Sequence, residues 1–273
     1  MTHRILALCL SALLVACGGG GSGFDPIVTQ IQAQSLQYGK SATIYIAGKF
    51  LRYDMIADTG SCTGPTFGAT SSPDLAVLNC KVTAVGALPI TIKSADGAVL
   101  HSATLTVQQP QVTLVTSKGS VVLELQADVV PATVNNFLAY VNSGYYQSTL
   151  FHRVIAGFVV QGGGYTTGMV KKPGQSAAIA LESNKGLSNT RGTVAMARTD
   201  QPDSATSEFY VNLVDNLSLD YQSAASPGYA VFGKVTQGMD VVDTIATSPT
   251  GVVNGSPNVP TTDVTITFAL QTR

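Results

Sequence analysis

The chain of 273 residues contains no tryptophan, only three histidines and four cysteines, and its charged residues amount to 11%, less than half of the roughly 25% usual in soluble domains. The charge is also balanced, with 15 basic against 16 acidic residues. No Lys/Arg cluster forms the basic stripe that a nucleic-acid partner requires. A metal centre lacks ligands. Apart from His3 near the start, the histidines are His101 and His152, which lie far apart, and no Cys-x-x-Cys spacing occurs. The triple glycine Gly162–Gly164 is followed by no Gly-Lys-Ser/Thr and stands in no strand-helix-strand unit, so it reads as a turn. No Gly-x-Ser-x-Gly elbow suggests a hydrolase. The expectation is a protein with no cofactor and no metal.

The longest N-terminal apolar run, Ile5 to Val15 after His3 and Arg4, has 11 residues and is too short to cross a bilayer as a helix. It reads as an export signal over residues 1–16. It ends in Leu14-Val15-Ala16-Cys17, which resembles the lipobox of bacterial lipoproteins, in which the cysteine is acylated and becomes the first mature residue. Ordinary cleavage after a small residue is the alternative. Residues 17–23 then form a lipidated cysteine and a Gly/Ser tether with a reach of roughly 13 Å. Two or more acyl chains anchor stably. The expected place is the bacterial cell envelope, anchored through Cys17 and facing the periplasm.

The remainder is long enough for two domains. From Phe24 to about Gln109 the sequence alternates with period two, as in SATIYIAGKF (41–50) and SATLTVQ (102–108), with a turn signal at Asp96-Gly97 and no helical stretch. Short strands over residues 24–109 fit an immunoglobulin-like β-sandwich, although the usual Cys-Trp-Cys spacing is absent. No catalytic constellation appears in it. Cys62 and Cys80 lie here. They are either two buried thiols or, as export favours, a disulfide closing a loop of about 19 residues and stabilising by about 3 kcal/mol.

The second half opens with alternating runs around Ser117-Lys118-Gly119, a hairpin signal. Pro131, the spacing of Val134, Phe137, Leu138 and Val141, and Gly144 predict a helix, and a second is predicted at Met239–Ala246. The segments FHRVIAGFVVQGGG (151–164), RGTVAMAR (191–198), ATSEFYVNL (205–213), NLSLD (216–220) and GYAVFGKVTQGMDVVD (228–243) resemble, in order, the signature of the cyclophilins, the peptidyl-prolyl cis/trans isomerases, and most closely their bacterial periplasmic branch. The resemblance covers roughly Gln111 to Leu270. It implies for residues 110–273 an eight-stranded antiparallel barrel with a helix over each open end, so that the whole chain is mainly β.

It also implies the site. Arg153 is the expected catalytic group. Phe158 and Tyr210 are the expected walls of a proline pocket, with Met196, Leu219, Val159 and Tyr229 beside them. Gln161, Ala197 and Arg198 are expected to bind the peptide backbone. Several positions depart from the family pattern. Glu208 replaces a glutamine that donates to substrate. Alternation puts Glu208 and Tyr210 on the groove side, where the carboxylate is expected to pair with Arg153 or Arg198. Tyr210 replaces phenylalanine, Val159 methionine, Ala156 proline, Tyr229 histidine, and Ser218 a tryptophan or phenylalanine, which suggests a less apolar pocket. His152 reads as a satisfied structural histidine. The implied partners are proline-containing segments of exported proteins, and the expected state is a monomer. Alternatives are a peptide-binding chaperone of low turnover, favoured by Glu208 and Ser218, or an adhesion module with an accessory isomerase domain.

Overall fold

The computed structural model describes residues 24–68 and 72–273. The export signal, Cys17 and the tether lie outside them. Seven strands come first: β1 (Ile27–Ala33), β2 (Ser41–Lys49), β3 (Ile56–Asp58), β4 (Cys62–Phe67), β5 (Leu75–Val82), β6 (Gly86–Lys93) and β7 (Val99–Val107). They form two antiparallel sheets, one in the order β1-β2-β5-β4 and the other β3-β6-β7. The period-two pattern has the expected effect. Ile44, Ile46 and Leu78 from the first sheet and Leu88, Ile90 and Ile92 from the second are all fully buried in one apolar cluster, while their sequence neighbours face outward. Cys62 and Cys80 form a disulfide, Cα to Cα 5.3 Å, between the adjacent strands β4 and β5.

The second half contains β8 (Gln111–Thr116), β9 (Gly119–Leu125), α1 (Pro131–Asn142), β10 (Thr149–Leu150), β11 (Arg153–Ile155), β12 (Val159–Gly162), β13 (Tyr165–Thr166), β14 (Val170–Lys171), β15 (Thr193–Met196), β16 (Phe209–Asn212), β17 (Val231–Gln237), α2 (Met239–Ala246), β18 (Thr250–Val253), β19 (Ser256–Pro260) and β20 (Thr265–Gln271). Nine of these strands make one antiparallel sheet in the order β10-β20-β8-β9-β17-β15-β16-β12-β11. Its two edge strands, β10 and β11, are separated only by Phe151 and His152, a reach of roughly 10 Å at most, so the sheet must curl until its edges meet. The sheet counts nine strands where eight were expected because a break at Phe151–His152 divides one strand into two. The break also reverses a side chain. Phe151 lies in the main core with Val154 rather than on the face of Arg153, where unbroken alternation would place it.

Helix α1 ends as the sequence predicts. Gly144 adopts φ +72°. Its N–H donates to Val141 O and that of Tyr145 to Tyr140 O, which together make a Schellman motif. At the other end no local side chain caps the helix. Glu182, 49 residues beyond Thr133, accepts from Thr133 N at 2.8 Å and from Thr133 Oγ1 at 2.7 Å, and its charge complements the helix dipole. The two halves touch through Gln271, whose Nε2 donates to Tyr38 O at 2.9 Å, and through Lys40, whose Nζ donates to Asn142 Oδ1 at 2.6 Å.

Candidate active site

Strands β11, β12, β15 and β16 stand side by side, and their outward face carries the expected residues. The register pairs Arg153 with Gln161, Ile155 with Val159 and Gln161 with Tyr210. Alternation then sends Arg153, Val159, Gln161 and Tyr210 to the same side. A cavity of about 410 Å³ opens there, lined by Arg153, Phe158, Val159, Gln161, Ala197, Arg198, Tyr210, Leu219 and Tyr229. Its floor is a small apolar cluster of Val159, Ala195, Tyr210 and Val231, separate from the main core. A smaller cavity of about 260 Å³ shares Gln161, Ala197 and Arg198 with it and continues toward Lys171, Gln175 and Glu208. Together they form one groove.

Two sequence expectations are corrected by this geometry. Met196 does not line the larger cavity. It is buried in β15 against the main core, because Ala195 and Ala197 take the groove side. Glu208 pairs with neither Arg153 nor Arg198. Its Oε2 accepts from Gln161 Nε2 at 2.9 Å and lies 3.2 Å from His152 Nε2. Burial alone would raise the Glu208 carboxyl, yet hydrogen bonding and charge from His152, helped by Gln161 and Lys171, bring it below its ordinary value. His152 is only half satisfied, since its buried Nδ1 has no hydrogen-bond partner among the described residues.

Arg153 is held from two sides. Its Nη1 donates to Gln161 Oε1 at 3.2 Å, and its guanidinium carbon lies 6.0 Å from the Phe158 ring centre. Among the described residues it enters no ion pair, so its full charge faces the cavity. Arg198 lies across the mouth, stacked at 4.6 Å over Tyr229, with Nε donating to Gly228 O at 2.9 Å. Tyr210 contributes its ring alone. Its hydroxyl donates to the fully buried Asn189, and burial drives its pKa far above the ordinary tyrosine value. The pocket wall is therefore as apolar as phenylalanine would make it, contrary to the expectation drawn from that replacement. Ser218 is exposed in the turn that carries Leu219 and adds nothing to the lining.

A set of polar residues behind the pocket escaped sequence reading. Asp220 accepts from Asn189 N at 2.7 Å and Asn189 Nδ2 at 2.9 Å, and Asn189 in turn takes the Tyr210 hydroxyl. The only signal was the acidic end of NLSLD, and nothing in the sequence connects it to a residue thirty-one positions earlier.

A family model described as cyclophilin type peptidyl-prolyl cis-trans isomerase/CLD matches residues 111–269, more than half of the chain. The chain belongs to the cyclophilin family. The peptidyl-prolyl cis-trans isomerase cyp18 of Streptomyces antibioticus is 50% identical over 160 residues, which are 58% of this chain and 96% of that protein. Peptidyl-prolyl cis-trans isomerase B of Escherichia coli is 48% identical over 157 residues, 57% of this chain and 95% of that one. Among solved structures, a cyclophilin type isomerase of Cryptosporidium parvum determined in the presence of the dipeptide Ala-Pro matches with a TM-score of 0.52 and 27% identity, over 60% of this chain and 99% of that chain. The family match lies wholly in the second half.

Proposed function

We propose that the cavity beneath Arg153 is where this cyclophilin isomerises X-Pro bonds, with the proline ring on Phe158, Val159, Tyr210 and Leu219 and the flanking backbone along Gln161, Ala197 and Arg198. The observation that carries the reading is Arg153 itself, an unneutralised guanidinium fixed by Gln161 at the rim of an apolar cavity. The peptidyl-prolyl isomerase reaction needs no nucleophile. Amide resonance opposes it with a barrier of about 18–20 kcal/mol. As the C–N bond twists, its double-bond character is lost and the prolyl nitrogen becomes pyramidal and basic. A guanidinium cannot deprotonate and offers several N–H donors, so it stabilises that nitrogen without moving a proton. A 10⁵-fold acceleration corresponds to roughly 7 kcal/mol. One preorganised donor contributes about 2.7–4 kcal/mol and orientation of the peptide the remainder.

Arg153→Ala is expected to lower kcat/KM by about 10² to 10³ with the fold intact. More than half the activity remaining, at an unchanged melting temperature, sinks the assignment. Among the described residues none of the first half lines the cavity, so the fragment Gln111–Arg273 is expected to keep full activity.

The first half reads as an immunoglobulin-like domain. What supports this is the strand order, which corresponds to the A-B-E-D and C-F-G sheets of the constant-type sandwich, although the disulfide joins neighbours in one sheet rather than bridging the two. With the lipobox at Leu14–Cys17, the reading is of an envelope lipoprotein whose sandwich carries a monomeric isomerase toward proline-containing segments of exported proteins. The adhesion alternative rests on the same sandwich. The low-turnover alternative loses its main argument, because Glu208 leaves Arg153 free.

A further inference from the structure

The side chains of His152, Glu208, Gln161 and Arg153 form one line from the interior to the rim of the cavity. His152 Nε2 lies 3.2 Å from Glu208 Oε2, Gln161 Nε2 donates to that same oxygen at 2.9 Å, and Arg153 Nη1 donates to Gln161 Oε1 at 3.2 Å. The chemistry of each link constrains the next. An ionised carboxylate only accepts, so the Gln161 amide must turn its NH₂ toward Glu208, and its oxygen is then aimed at the guanidinium. A neutral glutamine at 208 would offer an oxygen or an NH₂ and would leave that choice open. A flipped Gln161 would set NH₂ against guanidinium, donor against donor, and Arg153 would lose its support.

The fold reserves room for this carboxylate. A Cβ placed on Gly164 would lie 2.6 Å from Cγ, Cδ and Oε1 of Glu208, so the last glycine of the triple run is the floor on which Glu208 rests. Behind it the buried His152 ring is backed by Tyr165, centroids 4.6 Å apart, which holds Nε2 toward the carboxylate.

We propose that Glu208 is a positioning residue: clamped between His152 and Gly164, it sets the orientation of the Gln161 amide and through it the place of the Arg153 guanidinium. It acts on catalysis through Gln161 and Arg153. The inference rests on Arg153 being the catalytic group, and the experiment separates the two.

Exchange NMR of a proline peptide over a range of concentrations gives kcat and KM for the full chain and its variants. In Glu208→Ala, kcat is expected to fall about tenfold with KM within about twofold, since a guanidinium misplaced by an ångström or less stabilises poorly. Glu208→Gln should recover to within about threefold of the parent, because its amide oxygen can still accept from Gln161. Gly164→Ala displaces the carboxylate without removing it, and should lower kcat as Glu208→Ala does. It carries the test if Glu208→Ala does not fold. In an Arg153→Ala background, Glu208→Ala should cost nothing further. A kcat within twofold for Glu208→Ala, a loss confined to KM, or a further loss in the double variant overturns the inference. Full activity of Arg153→Ala overturns the assignment of Arg153 instead.

Discussion

The hydroxyl of Tyr210 donates to Asn189 Oδ1 at 2.8 Å, behind the ring that lines the cavity, and Asn212 Nδ2 reaches the same oxygen at 3.2 Å. All three residues are buried. Removing the acceptor strands the buried Tyr210 hydroxyl and leaves Asn212 Nδ2 only its bond to Thr193 Oγ1 at 2.9 Å, whereas removing the hydroxyl leaves Asn189 still bonded to Asn212. Asn189→Ala is therefore expected to destabilise by about 2–3 kcal/mol and Tyr210→Phe by about 1 kcal/mol. Thermal or denaturant unfolding gives the order, and a reversed order contradicts this account of the network.

Asp220 supplies a pH dependence. Burial acts to raise its carboxyl, but donors from Ser188 and Asn189 outweigh it and hold the value below 3.8. A carboxyl depressed in the folded state contributes stability above its unfolded value and loses it as pH falls through the folded one. Asp220→Asn is expected to cost about 1 kcal/mol near neutral pH, with the gap to the parent closing below pH 3.8. A gap unchanged between neutral and acid melts argues that the charge contributes nothing.

The Cys62–Cys80 disulfide, 18 residues apart in sequence, restrains the unfolded first half. Replacing both cysteines by serine is expected to lower its stability by about 3 kcal/mol. Arg153 and the described lining of its cavity lie in the second half, so isomerase activity should persist at temperatures where the first half has unfolded in the variant and not in the parent. Circular dichroism melts with a parallel activity assay measure both. An equal loss of activity and structure means that the halves unfold as one unit.

Lipid anchoring has its own test. Cys17→Ser removes the only thiol of the Leu14-Val15-Ala16-Cys17 motif, and the variant is expected to leave the membrane fraction of the producing cell. Retention in the membrane pellet after a high-salt wash rules out acylation at Cys17 as the anchor.

Much of the molecule was legible in one dimension. Period-two alternation marked a β-only first half because strand faces are set by neighbouring residues. Pro131, Gly144 and the spacing of Val134, Phe137 and Leu138 marked α1 because helix ends and faces are equally local. The five ordered segments named the family and brought to one cavity nine of the eleven residues assigned to its site. What could not be read was decided by register between distant segments. The strand break at Phe151–His152 sent Phe151 to the core, and Met196 went inward because β15 pairs as it does with β16 and β17. Alternation placed Glu208 beside the groove, but the pairing of β12 with β16 chose its partners, His152 and Gln161 rather than either arginine. The hydroxyl of Tyr210 turned away from the pocket because Asn189, twenty-one residues earlier, was waiting behind it. Each side chain's local preference is written in its neighbours, but a buried polar group takes whichever partner the closed sheet brings within hydrogen-bond reach, and only the curled sheet decides that.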